Sequence, residues 1–600
     1  MPIARWGRFD EALSGLALAL MVLLPVLEIA LRASTGTGVE NASVLVQHLG
    51  LIMTMFGAVA AERYGHLTSL GSSLGQLGNE RTQALVKSLV QGSSSLLAGI
   101  LALASWRFVS TEMASPQPLA YGISIWWVQS SMPVGFLLLG FRLGSRCSKK
   151  ALYRWPAALL LPIGGWALGA HLDGTSIAMA PGAGLLAVML IAGAPVFAVL
   201  GGLSLLLFAG DALPLASVAL SHYQITVNAS LPALPLYTLA GLLLARSGAA
   251  QRLSVLFVAV LGGGVRGSVI AAALLCSTFT AFTGGSGVTI LALGGLLLPL
   301  LMKAGYPEQR GIGLVTSASA LGVLLAPSVP LILYAVIARV PIKDMFLAGL
   351  VPAVLMVVCL LLLGGFLRRE QQVPPGAPPD FHGALAAAWA AKWELATPFV
   401  ALGSLLSGLA TPMESAALTA AYALLTQSLV HRELGLKMLG RTFSDCAQII
   451  GGVMLILGMA LALTNFMIDA GVPDLAVEWV QSVIPNRYVF LIVLCVFLFF
   501  AAALMEIYAA IVVLVPLLLP LAKAYGIDPI HFGIIFLAAM EAGFLCPPAG
   551  MNIYFASAMF KKSIGTVARS VLPAMGAIFT GTLLIALVPP LATGLPNLFR

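Results

Sequence analysis

Long apolar stretches recur along the chain from Leu16 to Leu591, with short polar segments between them. A helix needs about 20 apolar residues to cross the hydrocarbon core of a bilayer. Stretches such as Val489–Leu504 lack the alternation of apolar and polar residues that marks the strands of a transmembrane β-barrel. The pattern therefore predicts an all-α, polytopic membrane protein.

The first 150 residues predict a four-helix membrane domain with spans at about 12–31, 43–61, 88–106 and 122–141. Cytoplasmic loops of membrane proteins carry an excess of Lys and Arg. If the N terminus is cytoplasmic, ten Lys and Arg residues lie in the inner loops, whereas the outer loops hold Arg32 and Arg107. The charge pattern thus predicts a cytoplasmic N terminus. Residues 151–181 are interpreted as a further helix and a linker.

Residues 182–600 are predicted to form a second domain that contains an internal repeat. One register, an offset of 221 positions, relates Pro299 to Pro520, Gly322 to Gly543, Pro327 to Pro548 and Pro352 to Pro573. Two related halves are predicted, at about 182–367 and 394–592, with the polar, Pro-rich stretch Arg368–His382 between them. Paired halves with interrupted apolar segments are typical of secondary transporters.

Each half contains two Gly- or Pro-rich breaks, at Thr280–Thr289 and Leu325–Pro330 and at Ala502–Ala510 and Leu545–Asn552. Lipid cannot satisfy a free backbone N–H or C=O, so a broken helix persists inside protein or where a ligand bonds to the freed groups. Freed carbonyls and hydroxyls suit Na⁺, and helix N termini suit a carboxylate. A packing motif or a simple kink is the alternative interpretation of any single break.

Two carboxylates, Glu506 and Glu541, are flanked by apolar residues in the second half. A charge at mid-membrane costs on the order of 2.5–3.5 kcal/mol on insertion scales unless it faces the protein interior. Glu506 lies in a break, where it can orient helix ends, pair with a cation or carry a proton, and a structural hydrogen bond is the alternative. For Glu541 the sequence favours a structural contact with a polar partner.

Composition excludes the soluble classes of protein, because 60% of the residues are hydrophobic, 9% are charged and the mean hydropathy is +1.00. Soluble domains carry about 25% charged residues. The net charge is +8, but the basic residues lie at helix ends, so no nucleic-acid binding is expected. The sequence contains neither GxxxxGK[ST] nor HExxH, and its six cysteines lack metal-ligand spacing, so ATP binding and a bound cofactor are not expected.

Several motifs resemble those of the TRAP (tripartite ATP-independent periplasmic) transporters, with the small and large membrane subunits fused. Glu62–Leu70 and Trp126–Gly144 are similar to small-subunit motifs. The resemblance to the large subunit is more specific. It covers Ala192–Gly202, Leu234–Gly248, Gly284–Tyr306, Pro327–Val336, Ala410–Leu424, Leu514–Ile535 and Cys546–Ser557.

The resemblance implies an elevator-type transporter in the bacterial inner membrane, with inverted repeats, helical hairpins and a four-helix small-subunit domain. It implies that a periplasmic substrate-binding protein delivers a small organic acid and that sodium ions are the coupling ions. Sodium is expected near Gly284, Ser286, Ala326 and Cys546. Ala326 and Cys546 stand where the family often has Pro and Thr.

The sequence and the resemblance together predict a set of ion- and substrate-binding residues at the breaks. They are Gly284, Gly285, Ser286, Thr289, Ser319, Pro327, Ser328, Glu506, Cys546, Pro547, Pro548, Gly550 and Asn552. The predicted function is sodium-coupled import of a small organic anion. A stand-alone ion-coupled carboxylate carrier is the first alternative, and a membrane-embedded enzyme, which needs a nucleophile–base or metal pair, is the second.

Overall fold

The computed structural model describes residues 9–65, 67, 79–148, 150–368, 378–547 and 550–599. Within these residues, 11 helices are long and apolar enough to cross a membrane, or up to 12 if a bent pair forms one span. The prediction of an all-α, polytopic membrane protein is confirmed. Some parts of the sequence predictions lie outside the described ranges: Pro548, residues 369–377 of the Pro-rich stretch Arg368–His382, residues 66 and 68–70 of the Glu62–Leu70 motif, and three of the ten basic residues of the predicted inner loops, Arg5, Arg8 and Lys149.

The first third of the chain contains α1 (Phe9–Thr35), α2 (Ala42–Tyr64), α3 (Glu80–Ala114), an antiparallel pair of short strands, β1 (Pro118–Ala120) and β2 (Ile123–Ser124), then α4 (Ile125–Gln129), α5 (Ser131–Ser145), α6 (Ala151–Leu172), α7 (Met179–Ile191), α8 (Val196–Gly210) and α9 (Ala216–Thr226). These helices cover the four predicted spans. The fourth span is divided between α4 and α5.

The middle contains α10 (Ala233–Ala245), α11 (Ala249–Leu261), α12 (Val265–Thr283), α13 (Ser286–Lys303), α14 (Glu308–Ala318), a 3₁₀ turn (Leu321–Leu324), α15 (Val329–Ala338), α16 (Ile342–Leu363), α17 (Phe381–Ala390), α18 (Lys392–Leu406), α19 (Pro412–Leu425) and a π turn (Thr426–Val430). The last part contains α20 (Leu436–Asp469), α21 (Val472–Val483), α22 (Arg487–Leu504), α23 (Ile507–Ala524), α24 (Pro529–Gly543), α25 (Met551–Phe560), α26 (Ile564–Leu587) and α27 (Pro590–Leu598).

The chain packs as two compact units. The first consists of Met1–Pro235 and Gly440–Pro473, and the second consists of Leu236–Leu439 and Asp474–Arg600. Most of α20 therefore packs with helices that precede it by several hundred residues. The breaks predicted from the Gly and Pro pattern all lie in the second unit.

Glycines in the first unit let α20 approach α2 at backbone distance. A Cβ atom added to Gly57 would lie 2.2 Å from the Ala447 carbonyl oxygen, and one added to Gly451 would lie 2.6 Å from the Ala58 nitrogen. Small residues at such crossings allow close van der Waals packing between membrane helices, where lipid supplies no hydrophobic drive for association. The glycines are therefore required for this helix pair.

A cluster of ion pairs joins α1, α2 and the end of α5 in the first unit. Asp10 is buried and pairs with Arg63 at 3.0 Å and with Arg142 at 2.9 Å, and Glu62 pairs with Arg146 at 3.1 Å. A buried carboxylate needs a paired cation to offset its loss of hydration. Arginines that predict the cytoplasmic face from sequence thus also hold three helices together.

A second ion cluster stabilises the 71° bend between α10 and α11. Arg252 on α11 lies 2.7 Å from Glu394 on α18 and 2.6 Å from Glu433, which follows the π turn. Glu433 also accepts a hydrogen bond from the backbone of Gly248 at the bend, at 2.7 Å. The hydrogen bond from Arg252 lowers the pKa of the Glu433 carboxyl from its ordinary value. The charged pair therefore links the bend to a neighbouring loop.

One helix of each half of the second unit begins and ends at the offset found in the sequence. Helices α13 and α23 begin 221 positions apart and end 221 positions apart. Pro299 and Pro520 lie inside these two helices, and Pro352 and Pro573 lie inside α16 and α26. Each half thus contains an interrupted helix pair, a second interrupted pair and a long helix, in that order.

The close approach of α2 and α20 makes a testable prediction. Gly57→Ala should destabilise the protein by about 1–3 kcal/mol, because the added methyl group overlaps backbone that cannot move aside. Gly164→Ala on α6 is the matched control, since a Cβ there meets nothing within 4 Å. It should keep or slightly raise the stability. Thermal unfolding of the purified protein in detergent measures both, and equal melting temperatures would contradict the packing argument.

Candidate ion and substrate site

The first break separates α12 from α13 at Gly284 and Gly285. Gly284 has φ of +71°, in the left-handed region that residues with a Cβ rarely adopt. A Cβ there would also lie 2.7 Å from Cγ2 of Val329. Gly285 is extended, with φ of −147°, and has space for a side chain. Gly284 is therefore the residue that the turn requires.

Threonine hydroxyls surround this turn. Thr280 Oγ1 lies 2.7 Å from Thr289 Oγ1 and 2.9 Å from the carbonyl oxygen of Ser319, and Thr283 Oγ1 lies 3.0 Å from Thr289 Oγ1. These contacts bring the predicted residues Thr289 and Ser319 to one place. Sequence reasoning missed Thr280 and Thr283 as site residues. Their spacing of three within the break was the available signal, because it places both on one face of α12.

Tyr508 connects the breaks of the two halves. Its hydroxyl donates a hydrogen bond of 2.8 Å to the carbonyl oxygen of Gly284. Tyr508 lies in the first turn of α23, two residues after Glu506. The predictions from sequence do not include it, since a tyrosine in an apolar helix carries no local sign of a distant partner.

A second contact between the halves involves Ser286 and Asn552. Ser286 Oγ donates to Asn552 Oδ1 at 2.7 Å, and Asn552 Nδ2 donates to the carbonyl oxygen of Thr316 at 3.4 Å. Both side chains are buried. The asparagine amide thereby joins the first turns of α13 and α25 to α14. Two of the predicted residues are in direct contact here.

The break between α14 and α15 carries fewer free polar groups than the sequence predicts. The Leu325 N–H donates to the Gly322 carbonyl at 3.1 Å, and the Ser328 hydroxyl donates to the Val323 carbonyl. The peptide bond between Ala326 and Pro327 is cis. Each carbonyl keeps a second lone pair. Each of these two carbonyl oxygens already accepts one hydrogen bond from the protein, but its second lone pair can still bind a ligand.

The corresponding break between α24 and α25 is held by its own backbone. Gly550 N–H donates to the Cys546 carbonyl at 2.7 Å, and the half-buried Cys546 thiol lies 3.6 Å from the Pro547 carbonyl. A Cβ at Gly550 would lie 2.4 Å from the Phe544 carbonyl oxygen. Among the described hydrogen bonds, none joins Cys546 or Pro547 to the Ser286–Asn552 pair.

Glu506 occupies the break between α22 and α23. It is half-buried, and its carboxylate lies near the backbone amides of Tyr508 and Ala509 at the start of α23. Its Oε2 atom is buried without a hydrogen-bond partner in the described part of the chain. A helix N terminus attracts negative charge, so this position stabilises the carboxylate. One of its oxygens remains available to a ligand.

The groups that converge at these breaks are hydroxyl, amide and carbonyl oxygens. Within the described residues, His, Cys, Asp and Glu do not form a cluster of three that could hold a metal ion. Oxygen ligands of this kind suit a hard cation rather than a transition metal. Polar groups that would be costly in lipid are therefore collected inside the second unit.

The amino-acid sequence matches two families of membrane-transport components. Residues 183–591 match the family described as "Tripartite ATP-independent periplasmic transporter, DctM component", which covers more than half of the chain. The chain belongs to the TRAP transporter family. Residues 21–151 match the DctQ component of the same transporters. The chain is thus a fused TRAP permease, and the resemblance read from its motifs is confirmed.

Relatives of this TRAP permease include a C4-dicarboxylate large permease protein, DctM, of Pseudomonas aeruginosa, with 30% identity over 66% of this chain and 92% of that protein. The isethionate permease protein DctMQ of Oleidesulfovibrio alaskensis is 31% identical over 68% of this chain and 64% of its own length. The 2,3-diketo-L-gulonate large permease protein YiaN of Escherichia coli is 26% identical over 60% and 85%.

A solved structure, that of the YdaH transporter of Alcanivorax borkumensis, aligns with a TM-score of 0.45 and 16% identity. The alignment covers 59% of this chain and 84% of that one.

The turn at Gly284 predicts different outcomes for two adjacent glycines. Gly284→Ala should cost about 1–2 kcal/mol from the left-handed backbone alone, and contact with Val329 adds to this. We expect a folded protein with a lower melting temperature and at least tenfold slower uptake. Gly285→Ala is the control and should resemble the wild type. Thermal unfolding and uptake into proteoliposomes measure these effects, and equal behaviour of the two variants would argue against the turn.

Proposed function

We propose that this protein is the membrane permease of a sodium-coupled importer of a small organic anion, which receives its substrate from a separate periplasmic binding protein. Its TRAP relatives are named for C4-dicarboxylates, isethionate and 2,3-diketo-L-gulonate. These substrates share a small polar body and an acidic group. Carboxylates and related acids are therefore the proposed substrate class.

The hydrogen bond from Tyr508 to Gly284 is the observation that carries the proposal. It joins the breaks of two repeat-related halves, so polar groups from both halves meet inside protein rather than in lipid. A helix kink that serves packing alone does not need polar groups from both halves close together, whereas a binding site shared by the two halves does. The Ser286–Asn552 contact supports the same interpretation.

Sodium, as a transported ion, is proposed to bind to oxygen atoms near Gly284, Ser286 and Thr289, with main-chain groups of Ala326 and Cys546 nearby. The carbonyls at these breaks each have a lone pair left after their hydrogen bonds. An entering cation therefore shares these oxygens with the protein donors. The remaining candidates around the same breaks are Gly285, Ser319, Pro327, Ser328, Glu506, Pro547, Pro548, Gly550 and Asn552.

Electrostatics give a reason for coupling sodium to an anion. The N terminus of α23 attracts a carboxylate, but Glu506 already lies there and repels a second negative charge. A cation bound beside Glu506 removes that repulsion. Sodium and substrate would then strengthen each other's binding, and the effect is reciprocal.

The location and the mode of movement belong to the same proposal. The excess of basic residues in one set of loops supports a multi-pass protein of the bacterial inner membrane with a cytoplasmic N terminus. An elevator movement, in which the broken helices carry ion and substrate across together, fits repeat-related breaks that enclose one set of polar groups.

Uptake into proteoliposomes tests the coupling ion and the partner. We expect accumulation of a radiolabelled organic acid when an inward sodium gradient and the periplasmic binding protein are both present. Omission of either should abolish it. Sodium-driven uptake without the binding protein would favour the stand-alone carrier, and uptake driven by a proton gradient without sodium would overturn the ion assignment.

Replacement of Ser286 tests its role in the ion site. Ser286→Ala removes a buried hydroxyl that bonds to Asn552, a loss of about 0.5–1.5 kcal/mol, which corresponds to a roughly 2- to 10-fold higher sodium concentration for half-maximal uptake. Ser482→Ala is the control, because that hydroxyl is exposed and bonds within its own helix. Sodium titration of the initial uptake rate measures both variants.

Glu506→Gln provides an independent readout of the same site. The variant removes the negative charge, so uptake should depend less steeply on sodium than in the wild type. If Ser286→Ala and Glu506→Gln both retain the wild-type sodium dependence, neither residue takes part in ion binding.

A further inference from the structure

A buried carboxyl of the second unit, that of Glu541, lacks the partners that a charge requires. Its side chain on α24 is 0% exposed, and in the described residues neither carboxylate oxygen has a hydrogen-bond partner. The backbone of Leu324 in the 3₁₀ turn lies near the carboxylate but does not reach it with the geometry of a hydrogen bond. Glu506 differs, because it is half-buried at a helix N terminus.

The surroundings of Glu541 supply no counter-charge. The elements packed against α24 are the 3₁₀ turn and helices α15, α16, α22, α23, α26 and α27. The titratable and charged side chains of α24 and of these elements are Tyr334, Lys343, Asp344, Cys359, Arg487, Tyr488, Cys495, Tyr508, Lys523, His531, Glu541 and Arg569. Within the described part of the chain, none of these groups forms a hydrogen bond or an ion pair with Glu541.

The position of Glu541 is also specific. It lies two residues before Gly543, whose repeat-related partner Gly322 lies in the 3₁₀ turn beside Leu324. A Cβ at Gly543 would lie 2.3 Å from the Ala502 Cβ atom, and one at Gly322 would lie 2.2 Å from the Ser277 carbonyl oxygen. The carboxyl is therefore enclosed where the second break of each half begins, in closely packed surroundings.

A proton satisfies this carboxyl better than a metal cation does. An ionised carboxylate that has neither a counter-charge nor hydrogen bonds is strongly disfavoured in a low-dielectric interior, and it neutralises instead. A sodium ion needs several oxygen ligands, whereas a proton needs one carboxyl oxygen. The one backbone group near the carboxyl does not replace the hydration that an ionised carboxylate loses on burial.

We propose that Glu541 is a proton-binding site of this permease and is a neutral carboxylic acid in the conformation described. Within the described residues, no hydrogen bond joins Glu541 to the oxygen cluster around Gly284 and Ser286. Its consequence for transport rests on the proposed function: loss of the proton would place a charge where the second breaks of the two halves begin. Uptake would then respond to pH through Glu541 and to sodium through the other site.

Infrared spectroscopy of the purified full-length protein tests the protonation directly. At neutral pH the wild type should show the C=O stretching band of a protonated carboxyl. Glu541→Gln should remove that band, and the control Glu506→Gln should retain it. Replacement of sodium by N-methyl-D-glucamine should leave the band unchanged. A spectrum without a Glu541-dependent band, or a band that appears after sodium is removed, would overturn the proposal.

Two further measurements secure the conclusion. Glu541→Gln should unfold at the wild-type temperature, because glutamine has the shape of the neutral acid. If that variant does not fold, Glu541→Asp should shift the band, and an unshifted band rejects the assignment. At saturating sodium, uptake by the wild type should fall as pH rises, whereas uptake by Glu541→Gln should not. Identical pH profiles would reject the role in transport.

The experiments distinguish failure of the proton site from failure of the proposed function. If sodium does not drive uptake in any variant, the proposed function is wrong, while the infrared band still decides whether Glu541 carries a proton. If uptake is sodium-driven but the band is absent, the proton site is wrong and the proposed function stands.

Discussion

The structure of the second unit depends on one constraint: main-chain N–H and C=O groups at membrane depth must find partners, because lipid offers none. Breaks in helices create such groups, and this protein gives them partners from distant parts of the chain. Tyr508 bonds to the carbonyl at the turn of Gly284, and Asn552 bonds to Ser286 and Thr316. Hydrogen bonds at the breaks thus connect the two halves of the unit.

The first unit obeys the same constraint by different means. Its long helices leave few main-chain groups bare, so association depends on close backbone contact at Gly57 and Gly451 and on ion pairs around Asp10. The second unit contains the predicted breaks, where polar groups from both halves form hydrogen bonds with each other.

Local patterns were sufficient to predict the helices, the repeat and the breaks, since Gly, Pro and apolar length act over a few residues. The partners across the breaks were not predictable in this way. Nothing near Tyr508 in the sequence indicates Gly284. Ser286 and Asn552 were both predicted as site residues, but their contact with each other was not. The carbonyls of Gly322 and Val323, one turn before Ala326–Pro327, instead accept hydrogen bonds from Leu325 N–H and from the Ser328 hydroxyl. Contacts between residues far apart in the chain decide these details, and such contacts produce no periodic pattern in the sequence.

The two halves of the repeat do not match residue for residue. The left-handed glycines Gly305 and Gly526 lie 221 positions apart, but the left-handed residues that follow α15 and α25, Arg339 and Lys561, lie 222 apart. One residue has therefore been added to the second half between these points. Two conformations that exchange the roles of identical halves would have equal energy by symmetry. The two halves differ in sequence and, between these points, also in length, so conformations that exchanged their roles would not be equal in energy.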